Sequence, residues 1–76
     1  MNFEKDLEWS VYLDVYGEFL TDKQQKVMKA YYDEDFSLAE IAEEMNISRQ
    51  GVRDTINRAQ LKLTDMESKL HLVHRA

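Results

Sequence analysis

The chain has no cysteine, no proline and only two glycines, Gly17 and Gly51. Without cysteine there is no disulfide scaffold, no thiolate zinc site and no cysteine nucleophile. Tight hairpins and many-stranded folds place Gly and Pro at their turns, so the scarcity of both favours helices joined by short links. No apolar run approaches the roughly 20 residues of a membrane span, so no membrane partner is expected. The opening Met1-Asn2-Phe3-Glu4-Lys5-Asp6 is acidic and polar, unlike a signal peptide, and the expected location is the cytoplasm. Positive charge is also scarce, with 10 basic residues against 15 acidic and a net charge of −5. That balance works against non-specific binding to nucleic acid, because phosphate contacts supply most of such affinity.

What remains is compact and helical in pattern. Seventy-six residues, 43% of them apolar, make one domain spanning 1–76, held by helix packing with or without the aid of oligomerisation. The charge is segregated. Residues 1–46 carry 12 acidic and 4 basic side chains, and residues 47–76 carry 3 acidic and 6 basic: Arg49, Arg53, Arg58, Lys62, Lys69 and Arg75.

Four helices are expected. The first covers roughly residues 3–19, with Leu7, Val11, Val15 and Trp9, Leu13, Tyr16, Leu20 recurring at spacings of three and four. So broad an apolar face implies packing on more than one side, with a bend at Gly17. The second begins at the capping box Thr21-Asp22-Lys23-Gln24, turns Val27, Met28, Tyr31 and Tyr32 inward, and stops at Asp33-Glu34-Asp35. The third begins at a second box, Ser37-Leu38-Ala39-Glu40, and carries Leu38, Ile41, Ala42 and Met45. The fourth, capped by Ser48, is expected to run from Arg49 to about Val73. Its seam is Val52, Ile56, Ala59, Leu63, Met66, Leu70 and Val73, alternating in steps of four and three.

The stretch 38–57 carries the functional signal. Two helices meeting steeply across a short turn need a small residue at the crossing, a residue tolerant of positive φ at the turn, and an apolar plug just after it. Ala42, Asn46 and Ile47 fill these places, while Ile41, Met45, Val52 and Ile56 close the core. This is the pattern of a helix-turn-helix. Its second helix would enter the major groove of DNA with its first residues at the base edges. Arg49, Gln50, Arg53 and Asn57 lie off the Val52–Ile56 seam, and Arg can grip guanine while Gln or Asn grips adenine. Arg58 and Lys62 lie further on for phosphate, and Ser48 offers a hydroxyl or an amide there. The competing reading is a solvated basic face. Glu40, Glu43 and Glu44 on the first motif helix count against DNA and leave open a protein-interaction module that binds a basic surface. RNA is a weaker alternative, since no aromatic platform stands in the basic half.

At this point the residues resemble a known family. Leu20-Thr21-Asp22-Lys23-Gln24, Tyr31-Tyr32 with Asp35, Ser37-Leu38-Ala39-Glu40-Ile41-Ala42-Glu43-Glu44 and Ile47-Ser48-Arg49-Gln50-Gly51-Val52-Arg53-Asp54 look like the YlxM family of bacterial helix-turn-helix proteins, over roughly residues 7–73. The resemblance implies helices arranged like region 4 of a sigma factor. It also implies a regulatory part in protein targeting by the signal recognition particle, because the family's genes usually sit beside that of the particle's GTPase. Particle components thereby become candidate partners. It assigns no catalytic residue and no cofactor. Family members are expected to continue further at the C-terminus than His74-Arg75-Ala76.

Other features are expected to be structural. His71 and His74 are three apart on the extended fourth helix, a poor metal pair better suited to its dipole. Asp33-Glu34-Asp35 lacks the alternation and central glycine of a calcium loop. Ser37 and Ser48 are caps with no histidine nearby in sequence, so enzymatic function has no support. The aromatics Trp9, Tyr12, Tyr16, Phe19, Tyr31, Tyr32 and Phe36 read mainly as core. Leu61 and Leu72 fall off the seam, and extra apolar positions there favour a homodimer through the C-terminal helix, which would present two recognition helices to a palindromic site.

Overall fold

The computed structural model describes the backbone of residues 3–74 and the side chains of 7–74; Met1, Asn2, Arg75 and Ala76 lie outside the described residues. The order is α1 (Phe3–Tyr16), a 3-10 turn (Gly17–Phe19), α2 (Asp22–Tyr32), α3 (Leu38–Met45) and α4 (Arg49–Leu70), with no strand among the described residues.

Three of the helix starts follow from local chemistry. Thr21 Oγ1 accepts from the Gln24 amide while Gln24 Oε1 accepts from the Thr21 amide, both at 3.1 Å. Ser37 and Glu40 make the same reciprocal pair. Each box satisfies two amide donors that a helix start leaves without a partner. Ser48 Oγ accepts from the Gly51 amide at 2.9 Å and opens α4.

Two helix ends depart from expectation. α1 stops at Tyr16 and tightens into a 3-10 turn, but Gly17 takes no positive φ there. Its carbonyl accepts instead from the Leu20 amide and from the Gln25 side chain, so the bend rests on hydrogen bonding and not on a left-handed glycine. α4 stops at Leu70 rather than Val73 because His71 turns left-handed, at φ 52° and ψ 39°. His71 and His74 therefore do not share a helix face. α2 ends at Asp33 as expected, and Asp33 Oδ1 also accepts from Ser10 Oγ at 2.7 Å.

The core is assembled from all four helices. Tyr12, Leu13, Tyr16 and Leu20 come from α1 and its turn, Val27 and Met28 from α2, Ile41 and Ala42 from α3, and Val52, Ile56, Ala59 and Leu63 from α4. The first four positions of the α4 seam are thus buried inside their own chain, and Met66 and Val73 pack against the same core. Off the seam, Leu61 is 71% exposed. Of the apolar positions on α1, Leu7 and Val11 stay exposed, so the helix buries one broad side and not two.

Past Leu70 the chain folds back on α1 through one buried carboxylate. Glu67 accepts from the Tyr16 hydroxyl, from the Val73 amide at 3.1 Å and from the His74 amide at 2.7 Å. Tyr16 Oη in turn accepts from the Leu72 amide. Burial would raise the Glu67 pKa, but the hydrogen bonds from Tyr16, His74 and Val73, with the nearby His74 ring, outweigh it and hold the group at about 2. The Tyr16 hydroxyl is pushed up, by burial first and then by donating to this carboxylate. His74 Nδ1 lies 3.3 Å from Glu67, and Nε2 lies 3.8 Å from Glu8.

Candidate nucleic-acid interface

The turn between α3 and α4 is closed by Asn46 in the left-handed region, at φ 58° and ψ 45°. A short polar side chain tolerates that conformation better than any residue but glycine. Its amide bonds the Ala42 and Glu43 carbonyls, and the Ile47 amide reaches back to Ala42 at 3.0 Å, which satisfies the free carbonyls at the end of α3. Ala42, Ile41, Val52 and Ile56 are buried where the helices cross, with Met45 and Ile47 half-buried beside them. Ser48, extended at φ −75° and ψ 160°, then launches α4. This is the helix-turn-helix geometry that the seven positions require.

The orientation of α4 decides which side chains are offered. Val52, Ile56, Ala59 and Leu63 define its inner face. At about 100° per residue, the outward ridge opposite them carries Gln50, Asp54, Asn57 and Leu61. Arg53 lies on one flank of that ridge, and Arg58 and Lys62 lie on the other. The angle from Arg53 to Arg58 is about 140°, and to Lys62 about 180°. Arg49, Gln50, Arg53, Asn57, Arg58 and Lys62 are all exposed. They do not form one basic patch but a polar ridge with cations on both sides. A helix laid in the major groove has a phosphate strand on each side of it.

Local contacts sharpen the roles. Gln50 Nε2 donates to Asp54 Oδ1 at 3.0 Å, a one-turn pair that sets the amide along the ridge. The Ser48 hydroxyl accepts from Gly51 as a cap, which leaves its own proton for an acceptor outside. Arg53 and Asn57 border an open cleft of about 380 Å³ whose other walls include Tyr31, Leu38 and Gln60. Gln60 Nε2 donates to Tyr32 Oη at 2.6 Å and fixes the α2 side of that cleft. Sequence reasoning passed over Asp54, although its spacing of four from Gln50 is a readable signal. It also passed over Tyr31 beside Arg53, which no local spacing reveals.

The three acids of α3 stand in different settings. The Glu40 carboxylate is bound into its capping box, where the Ser37 amide, followed by the Ser37 hydroxyl, lowers its pKa. Glu44 lines a different cleft, between α2 and α3, opposite Lys26 and Lys29. Glu43 is exposed. Among the described residues no group of three or more His, Cys, Asp or Glu side chains is placed to hold a metal, and no helix is long and apolar enough to cross a membrane.

A small all-helical domain built around this turn is a helix-turn-helix domain. Residues 3–76 match the family described as "UPF0122: Putative helix-turn-helix protein, YlxM / p13 like", and the chain belongs to that family. It is 49% identical over 70 residues to a UPF0122 protein of Clostridium kluyveri, covering 92% of this chain and 63% of that protein. A UPF0122 protein of Acetivibrio thermocellus is 49% identical over 72 residues, covering 95% of this chain and 62% of the relative. The UPF0122 protein YofM of Lactococcus lactis is also 49% identical, with 95% and 65% covered. The chain thus spans just under two thirds of the length of these relatives.

Proposed function

We propose that the domain is a DNA-binding regulator that inserts the first half of α4 into the major groove. Gln50, Asn57 and Asp54 on the ridge face base edges, where an amide pairs with adenine and a carboxylate accepts from cytosine. Arg49 and Arg53 on one flank reach guanine or phosphate, and Arg58 and Lys62 on the other meet the opposite strand, with Ser48 on phosphate at the helix start. The observation that carries this reading is the pair of basic flanks on an exposed ridge, presented by a turn whose geometry rests on Asn46. Taking the family resemblance as support, we assign the regulation to the signal recognition particle pathway in the cytoplasm, with a domain arranged like sigma region 4. Two copies joined through the C-terminal helix suit a palindromic site.

The test is selection from a pool of random duplexes, followed by sequencing of what binds. We expect a defined motif whose recovery is lost in Arg49→Ala and Arg53→Ala, with the fold intact by circular dichroism. Absence of any enriched motif at low salt would overturn the reading.

A further inference from the structure

The outer face of α1 is unused by the fold and lies far from the proposed DNA ridge. Leu7, Val11 and Phe19 are 53%, 43% and 51% exposed, while Val15 between them is half-buried against the core. Leu7 and Val11 stand about 6 Å apart along α1, and Phe19 stands in the 3-10 turn just past its end. Exposed apolar side chains gathered in a row mark an interaction surface more than scattered ones do.

The charges around the stripe are of one sign. Glu8 and Asp14 stand about 60° to either side of Val11, and Glu18 stands in the 3-10 turn that follows α1. All three are exposed, and residues 7–20 contain no Lys or Arg. Among the described residues, no Lys or Arg pairs with any of them, and Glu8 has only Tyr12 and the His74 ring nearby.

We infer that this face binds an amphipathic helix of another protein, one whose apolar side is bordered by Lys or Arg. Apolar anchors in a row match a helix read at spacings of three and four. The carboxylate borders select a basic rim and repel an acidic one. The same argument disfavours a second copy: a two-fold contact through this face would set Glu8, Asp14 and Glu18 against identical carboxylates. Along α4, about 21 Å separates Arg53 from Glu67, where α1 is held, so the partner helix and DNA occupy separate sites.

The probe is a fluorescein-labelled 18-residue Leu/Lys amphipathic peptide, titrated by anisotropy into the full chain beside a Leu/Glu counterpart. We expect the Leu/Lys peptide to bind with an affinity that falls as salt rises, and the Leu/Glu peptide not to bind. The double variant Leu7→Asn, Val11→Asn should weaken binding about tenfold or more. The double variant Asp14→Lys, Glu18→Lys should shift preference toward the Leu/Glu peptide. All four positions are exposed, and circular dichroism checks that each variant folds. DNA titrated in parallel should be bound equally by the parent and by Leu7→Asn, Val11→Asn, which separates this site from the DNA ridge. Equal binding of both peptides, or unchanged binding by the variants, would overturn the inference. So would a dimer in sedimentation equilibrium that Leu7→Asn, Val11→Asn dissolves, since a second copy would then be the occupant.

Discussion

At its first residue α4 is set by bonds that span three to five residues: Ser48 on the Gly51 amide, Asn46 on Ala42 and Glu43, Ile47 on Ala42. At its last residue it is set by Glu67 on Tyr16, 51 residues away, and by the Leu72 amide on the same hydroxyl, 56 residues away. The near end is exposed and basic. The far end is a buried, fully bonded carboxylate that joins the tail to α1. The local device fixes an angle with little core around it. The distant one fixes a position, because a buried charge that loses its donors is costly in any other arrangement. The comparison predicts that damage to the far end reduces stability, while damage to the near end also reduces DNA affinity.

The largest expected effect falls between the two ends. Leu63 is fully buried, and Leu63→Ala should cost about 2–5 kcal/mol in denaturant unfolding by leaving a cavity. Next comes the far end. Glu67→Gln keeps the shape but removes the charge that the Val73 and His74 amides and Tyr16 bond, and a Tm fall of roughly 10 °C is expected. DNA affinity of the folded protein should be unchanged. The pH dependence follows from the sign of the shift. The folded pKa of about 2 lies below the ordinary 4.5, so the carboxylate stabilises the fold above about pH 4.5. That contribution is lost as pH falls from 4.5 through 2. The stability gap between the parent and Glu67→Gln should therefore narrow across that window, and a constant gap would contradict the account.

The near end should respond less in stability and more in binding. Asn46→Ala forces an alanine into the left-handed region and should cost about 1–2 kcal/mol, with a loss of DNA affinity as the turn opens. Asn46→Gly should restore both. Ser48→Ala removes the cap and should cost about 1 kcal/mol by thermal unfolding, the smallest of these effects.

The same contrast explains what was readable in advance. Both capping boxes, the left-handed Asn46, the Ser48 cap and the crossing at Ala42 are local rules, and the sequence states them within a few residues. The α4 seam was readable too, because a repeat of four and three is intrinsic to a helix face. The end of α4 was not. The apolar period continues through Leu70 to Val73, and only the pairing of the tail amides with Glu67 and Tyr16 stops the helix at Leu70. For the same reason His71 and His74 separate, one as a left-handed cap and the other against Tyr12, with ring centres 5.9 Å apart. In the candidate site, sequence reasoning named the exposed cations of α4. It did not resolve them into two flanks, because that division depends on which face the core buries.

The central claim is that both flanks of α4 meet phosphate while the far end does not. Its most direct test is the salt dependence of affinity for an enriched duplex, compared among the parent, Arg53→Ala, Lys62→Ala and Asp14→Lys. Each phosphate contact removed should lower the slope of log Kd against log salt by about one. The account predicts that loss for Arg53→Ala and for Lys62→Ala, on opposite flanks, and an unchanged slope for Asp14→Lys on α1. A parent slope retained in both Arg53→Ala and Lys62→Ala would contradict it.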